Sequence, residues 1–249
     1  MFGFFELPQL KTGTDPQGDS GNFALLDILQ ALRFVRSEIA EFGGDPGKVT
    51  LMGQSAGAIN VWALLVSPLS EGLFHRAVPI SGGISLASNL PAGSIPTLNP
   101  ASTYLAQGNA LLQHLVVGDG LAADLAGAAA YVAGLSKQQV ADYQRGKPAN
   151  VILNTVLAKG LTGSGPIPDG QVLPVDPIAA FTAGSYRKMP ILAGNTRDEG
   201  KLFAPFLALS PLLGGVPGYI VDDATRFRMM ASFDPDAPAT LTAADVIHP

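Results

Sequence analysis

The chain has 249 residues, 47% hydrophobic and 14% charged, enough for one sizeable apolar core or for a core with a subsidiary lobe. Its formal net charge is −5 and no cluster of lysine or arginine occurs, so a nucleic-acid backbone finds no electrostatic footprint. Cysteine is absent, which excludes a disulfide scaffold, a thiol nucleophile and cysteine-ligated zinc.

The first residues, Met1-Phe2-Gly3-Phe4-Phe5-Glu6, carry neither a basic leader nor a small-residue cleavage site and are not expected to form a secretion signal. Residues 23–42 place Leu25, Leu26, Ile28, Leu29, Leu32, Val35, Ile39 and Phe42 at mostly helical spacing, with Gly43-Gly44 as the stop. After the turn Asp45-Pro46-Gly47, the run Val49-Thr50-Leu51-Met52 predicts a strand, and Ala58 to Leu65 predicts a helix that ends before Ser67-Pro68. Ala77-Val78-Pro79-Ile80-Ser81 predicts a short buried strand, although Pro79 removes one ladder donor. Strands joined by helices imply parallel pairing.

From about residue 85 to 100 the composition turns to serine, proline, glycine and asparagine, the mark of a loop or boundary. Helices are predicted over residues 104–117 and 122–135, with a third opened by Ser136 as cap and running to Tyr143. Residues 85–160 are therefore expected to form a helical lobe inserted over the carboxyl edge of the sheet. A Pro/Gly-rich connection over 163–176 leads to a further strand at Met189-Pro190-Ile191-Leu192-Ala193-Gly194-Asn195. The late apolar stretch, residues 204–221, is broken by Pro205, Pro211, Gly214, Gly215, Pro217 and Gly218, so no simple transmembrane helix is expected there.

Two segments carry chemistry. Gly53-Gln54-Ser55-Ala56-Gly57 falls between predicted strand and predicted helix. A serine on so sharp a turn is thrust above the sheet, with the two glycines supplying space, and Ser55 becomes the candidate nucleophile. The bland alternative is a glycine-rich turn whose serine only caps the helix. The second segment, Gly194-Asn195-Thr196-Arg197-Asp198-Glu199-Gly200, sets two carboxylates on a loop at the carboxyl end of a strand, where open α/β sheets build sites. Either carboxylate could orient a histidine, or both could pair locally with Arg197 or Lys201.

Taken together, Gly21-Asn22 to Asp27, Phe42-Gly43-Gly44-Asp45-Pro46, Val49 to Ala58, Gly72-Leu73-Phe74-His75-Arg76-Ala77, Pro166-Ile167-Pro168-Asp169-Gly170 and Asn195 to Gly200 resemble the type-B carboxylesterases. That is the carboxylesterase and cholinesterase branch of the α/β-hydrolases. The resemblance implies a partial α/β-hydrolase fold, with a mainly parallel sheet, flanking helices and the helical lobe within a single domain of residues 1–249. It aligns Ser55 with the nucleophile, Glu199 rather than Asp198 with the triad acid, and the Ala56 N–H with one oxyanion-hole donor. Asp27, Phe42, Asp45, His75 and Asp169 match motif positions to which structural roles are assigned.

The family's glycine-rich oxyanion loop and its catalytic histidine have no matching segment, so the chain reads as truncated at both ends. Of the three histidines, His75 is expected to be structural and His114 to be a half-buried helix residue. His248 has the right order after Glu199 but is followed only by Pro249, and it is left unassigned. The implied activity is hydrolysis of carboxylic esters through a serine acyl-enzyme, without metal or organic cofactor. Gln54 stands where the family commonly has glutamate, which predicts neutral esters over choline esters; the apolar face of the helical lobe would suit fairly hydrophobic ones, although core packing explains the same residues equally well. The other reading is a catalytically silent scaffold used for protein binding. An incomplete sheet would also leave an unpaired edge and invite self-association.

Overall fold

Helix α1 (Phe23–Glu38) buries Leu25, Leu29 and Leu32 along one stripe, as the spacing of its leucines predicts. It tightens into a 3₁₀ turn over Ile39–Phe42, and Gly43, at φ 81°, closes it by donating its N–H to Ala40 (3.0 Å). Phe42, counted in the apolar stripe from sequence, is instead 78% exposed. These and the following descriptions come from a computed structural model, which describes residues 2–90, 96–161, 165–197 and 199.

Asn22, directly before α1, makes no side-chain cap. It is fully buried and reaches across the chain instead. Its Oδ1 accepts the Ile167 N–H (2.8 Å), while its Nδ2 donates to the Ile167 carbonyl (2.9 Å) and to Asp169 Oδ1 (3.1 Å). Asp169 also accepts the N–H groups of Val172 (3.1 Å) and Leu173 (2.9 Å). Burial pushes its carboxyl above the usual range. Two motif segments far apart in sequence are thus one knot, and the structural role expected for Asp169 is a concrete set of bonds. Asp45 serves its turn by accepting from Gly47 (2.8 Å) and pairing with Lys48 (3.1 Å).

Strands β1 (Thr50–Gln54) and β2 (Arg76–Ile80) pair in parallel, from Thr50 opposite Arg76 to Gln54 opposite Ile80. Helix α2 (Ala56–Val66) connects them and buries Ala58, Val61, Ala63, Leu64, Leu65 and Val66. Apolar nearly all round, it sits inside the core with α1, β2, Leu98, Val172 and Leu173. The expected strand at 189–195 is reduced to two bridges, Ala77 with Ile191 and Ile80 with Gly194. Proline explains the gap. Ala77 donates to the Pro190 carbonyl (3.1 Å) and Ser81 to that of Gly194 (2.8 Å), so the missing rung between them is the one that the Pro79 nitrogen cannot donate.

The lobe consists of α3 (Ala101–Gly118), α4 (Leu125–Ala133), α5 (Lys137–Arg145) and α6 (Ala149–Ala158). Asp124 caps α4 through the Gly127 N–H, and Ser136 and Gln139 form a reciprocal capping box on α5. Leu7, Leu112 and Val140 form a small core between the lobe and the N-terminal segment. Gly108 allows that approach, since a Cβ there would lie 2.0 Å from the Glu6 carbonyl oxygen. Helix α6 and the short α7 (Pro177–Thr182) carry weaker signals than the other helices, α6 because none of its residues is fully buried.

Two units are distinguished, Met1–Gly194 and Asn195–Pro249. In the second, Thr196 donates its N–H to Glu199 Oε1 (2.9 Å). The residues of the broken apolar stretch, 204–221, lie outside the described residues; among the described ones no helix is long and apolar enough to cross a membrane.

Candidate active site

β1 ends at Gln54 and α2 begins at Ala56, so a single residue, Ser55, makes the whole turn from strand to helix. It does so at φ 55° and ψ −120°, a backbone conformation that costs a residue with a Cβ on the order of 1–3 kcal/mol. The surroundings enforce it. The Ser55 N–H still belongs to the sheet, donating to the Ile80 carbonyl (2.9 Å), while its own carbonyl already accepts from Ala58 (2.9 Å) and Ile59 (3.2 Å) of the helix.

A serine that served as a cap would accept an N–H of the first helical turn. Ser55 makes no such bond, and the residue is exposed. The next residue, Ala56, is the first of α2, where an N–H has no partner within the helix. Among the described residues nothing accepts it, and Ala56 is exposed too. A hydroxyl free to react and an N–H free to receive an oxyanion therefore stand side by side at the positive end of a helix.

The space around the turn is shared differently from the sequence expectation. At Gly53 a Cβ would fall 2.3 Å from the Gly57 carbonyl oxygen, so glycine is required. At Gly57 a Cβ would meet no described atom within 4 Å. The second tight approach is at Gly82, where a Cβ would lie 2.4 Å from the Ser55 carbonyl oxygen. From sequence Gly82 is only a strand terminator, because its neighbour at the turn is distant along the chain. Ser81, also missed, adopts φ 52° at the carboxyl end of β2. No local pattern announces it.

The histidines separate by position. His75 donates its N–H to the Val49 carbonyl (2.8 Å) at the amino ends of the strands, whereas Ser55 is tied to Ile80 at the carboxyl end of β2. Five residues at about 3.3 Å each put roughly 16 Å between these levels, far outside the reach of proton transfer. The His75 Nδ1 is buried without a hydrogen-bond partner among the described residues. His114 is half-buried on α3. His248, Asp198 and Lys201 lie outside the described residues. Glu199, described within its own unit, braces the turn through Thr196.

Comparisons with known proteins agree with one another. The family model described as Carboxylesterase family matches residues 1–211. Fumonisin B1 esterase of Sphingopyxis macrogoltabida is 33% identical over 97% of this chain and 40% of its own length. Para-nitrobenzyl esterase of Bacillus subtilis (strain 168) is 32% identical over 81% of this chain and 36% of its own. Among solved structures, a Geobacillus stearothermophilus carboxylesterase superposes with a TM-score of 0.61 at 28% identity, covering 92% of this chain and 42% of that one. The chain thus spans about two-fifths of the length of these relatives.

Proposed function

The chain belongs to the carboxylesterase family, a branch of the α/β-hydrolases, and from that premise we propose that it supplies the nucleophile side of a carboxylic-ester hydrolase that works through a serine acyl-enzyme. The observation that carries this reading is the strained, exposed Ser55 with its hydroxyl uncommitted to capping, beside the unused Ala56 N–H. Ser55 Oγ attacks the ester carbonyl, and the Ala56 N–H receives the charge that develops on the carbonyl oxygen. A histidine takes the hydroxyl proton and returns it to the leaving alcohol; water then hydrolyses the acyl-enzyme. Glu199 is the carboxylate that orients this histidine. His75, at the amino ends of the strands, is not placed for the role, and His248 follows Glu199 in the serine–acid–histidine order.

Gln54, exposed at the end of β1, presents a neutral amide next to the nucleophile. The substrates are accordingly neutral, fairly hydrophobic esters, since a cationic alcohol group gains no local attraction there. A neutral tert-butyl analogue of a choline ester is expected to be turned over at least as fast as the choline ester itself. A strong preference for the cation would reverse that assignment.

Hydrolysis of p-nitrophenyl butyrate by the purified chain, with intact-mass detection of a fluorophosphonate adduct, tests the reading. Ser55→Ala is expected to abolish the adduct and lower kcat on the order of a millionfold, and Glu199→Gln to lower it on the order of ten-thousandfold. Absence of both turnover and adduct in the unmodified chain would favour a catalytically silent scaffold used for protein binding.

A further inference from the structure

A cavity of about 290 Å³ opens between the N-terminal segment and the helical lobe. Its walls are Phe5, Leu10, Phe23, Leu111 and Ile152. None of its lining residues comes from β1, α2 or β2, so it is separate from the turn that bears Ser55. The volume lies near the lower bound of small-molecule sites, roughly 300 Å³, which suits a ligand of about ten non-hydrogen atoms. Apolar walls of this kind take an aliphatic chain.

The polar groups of the lining are few and differ in their commitments. Lys147 pairs with Asp119 and lies 4.2 Å from the centre of the Tyr143 ring, so its charge is already answered. Arg145 is exposed at the last residue of α5 and has no ion pair or hydrogen bond among the described residues. Gln144 is the telling residue. It is only 8% exposed, it lines the cavity, and its side-chain amide has no hydrogen-bond partner among the described residues. With no protein group bonded to it, the amide is open to the cavity, and its N–H groups can donate to a ligand that brings an acceptor.

We infer that this cavity binds a medium-chain aliphatic carboxylate, with the chain among Phe5, Leu10, Leu111 and Ile152 and the carboxylate between the Gln144 amide and the Arg145 guanidinium. A neutral alkane leaves both polar groups unanswered, and an alkylammonium ion is repelled by Arg145. An anion with two acceptor oxygens can take an N–H of the amide and pair with the guanidinium at once.

Titration calorimetry with octanoate, using the Ser55→Ala chain so that no ester chemistry contributes, tests the site independently of the esterase reading. Octanoate is expected to bind at one site per chain, and acetate, which lacks the apolar portion, to show no heat. Arg145→Gln alters an exposed side chain and leaves the fold intact. It is expected to weaken octanoate binding about tenfold while leaving octanol binding unchanged; Ile152→Trp, which fills the cavity, is expected to weaken both ligands. Failure of octanoate to bind, or equal octanoate binding by the Arg145→Gln chain, overturns the proposal.

Discussion

Replacing Gly53 with alanine puts a number on how closely the turn at Ser55 is built. The added Cβ would lie 2.3 Å from the Gly57 carbonyl oxygen, 2.4 Å from the Gly57 carbonyl carbon and 3.0 Å from the Ala58 nitrogen. Ordinary contact begins near 3.5 Å, so strand and helix must part by about 1 Å. All three atoms belong to the backbone of the first turn of α2, and no side-chain rotation relieves them. Overpacking commonly costs about 1–3 kcal/mol, and the rigid partner puts Gly53→Ala at the top of that range, about 3 kcal/mol. For a domain of this size that lowers Tm by roughly 6–12 °C.

Gly57→Ala is the matched control. It lies within α2, its Cβ meets no described atom within 4 Å, and alanine is the better helix former by about 1 kcal/mol. Urea unfolding followed by Trp62 fluorescence reads both variants. Trp62 is the only tryptophan and sits on α2, donating from Nε1 to the Gly82 carbonyl (3.0 Å). The expected order of stability is Gly57→Ala, then the unmodified chain, then Gly53→Ala. Equal loss in both variants, or none at Gly53, would refute the contact argument. In an active chain Gly53→Ala should also reduce kcat by on the order of a hundredfold, because a nucleophile displaced by 1 Å no longer meets its carbonyl.

Two further outcomes are expected. Asn22→Ala leaves the N–H of the fully buried Ile167 without its partner, while the Ile167 carbonyl keeps the Asp169 N–H (2.8 Å); at about 1–3 kcal/mol for an unsatisfied group, a loss of about 2 kcal/mol should appear in the same urea titration, and a loss below about 1 kcal/mol would contradict the knot of bonds around Asn22. The outer edge of β1 has no partner strand among the described residues, and Met52 on β1 is 69% exposed; we propose concentration-dependent self-association there, with Met52→Lys shifting sedimentation toward monomer, whereas a sharp monomer for the unmodified chain at all concentrations would dismiss it.

Residues close together in sequence carried much of what was legible. The leucines of α1, the apolar run of α2, the Ser136 cap of α5 and the strand–serine–helix order around Ser55 are short-range patterns, and hydrogen bonding over three or four residues makes such patterns predictive. The family resemblance rested on the same local motifs, and the match over residues 1–211 supports it. Tertiary structure decided what depends on neighbours remote in sequence. It gave to Gly82 the spacing role that sequence symmetry had given to Gly57, exposed Phe42, thinned the strand at 189–195 to two bridges beside Pro79, and set His75 at the wrong end of β2 for proton transfer. It also joined Asn22 to Ile167 and Asp169, and left Gln144 unpaired on a cavity wall. These facts arise from which surfaces meet when the chain folds, and periodicity along the chain carries no information about the partner across the contact.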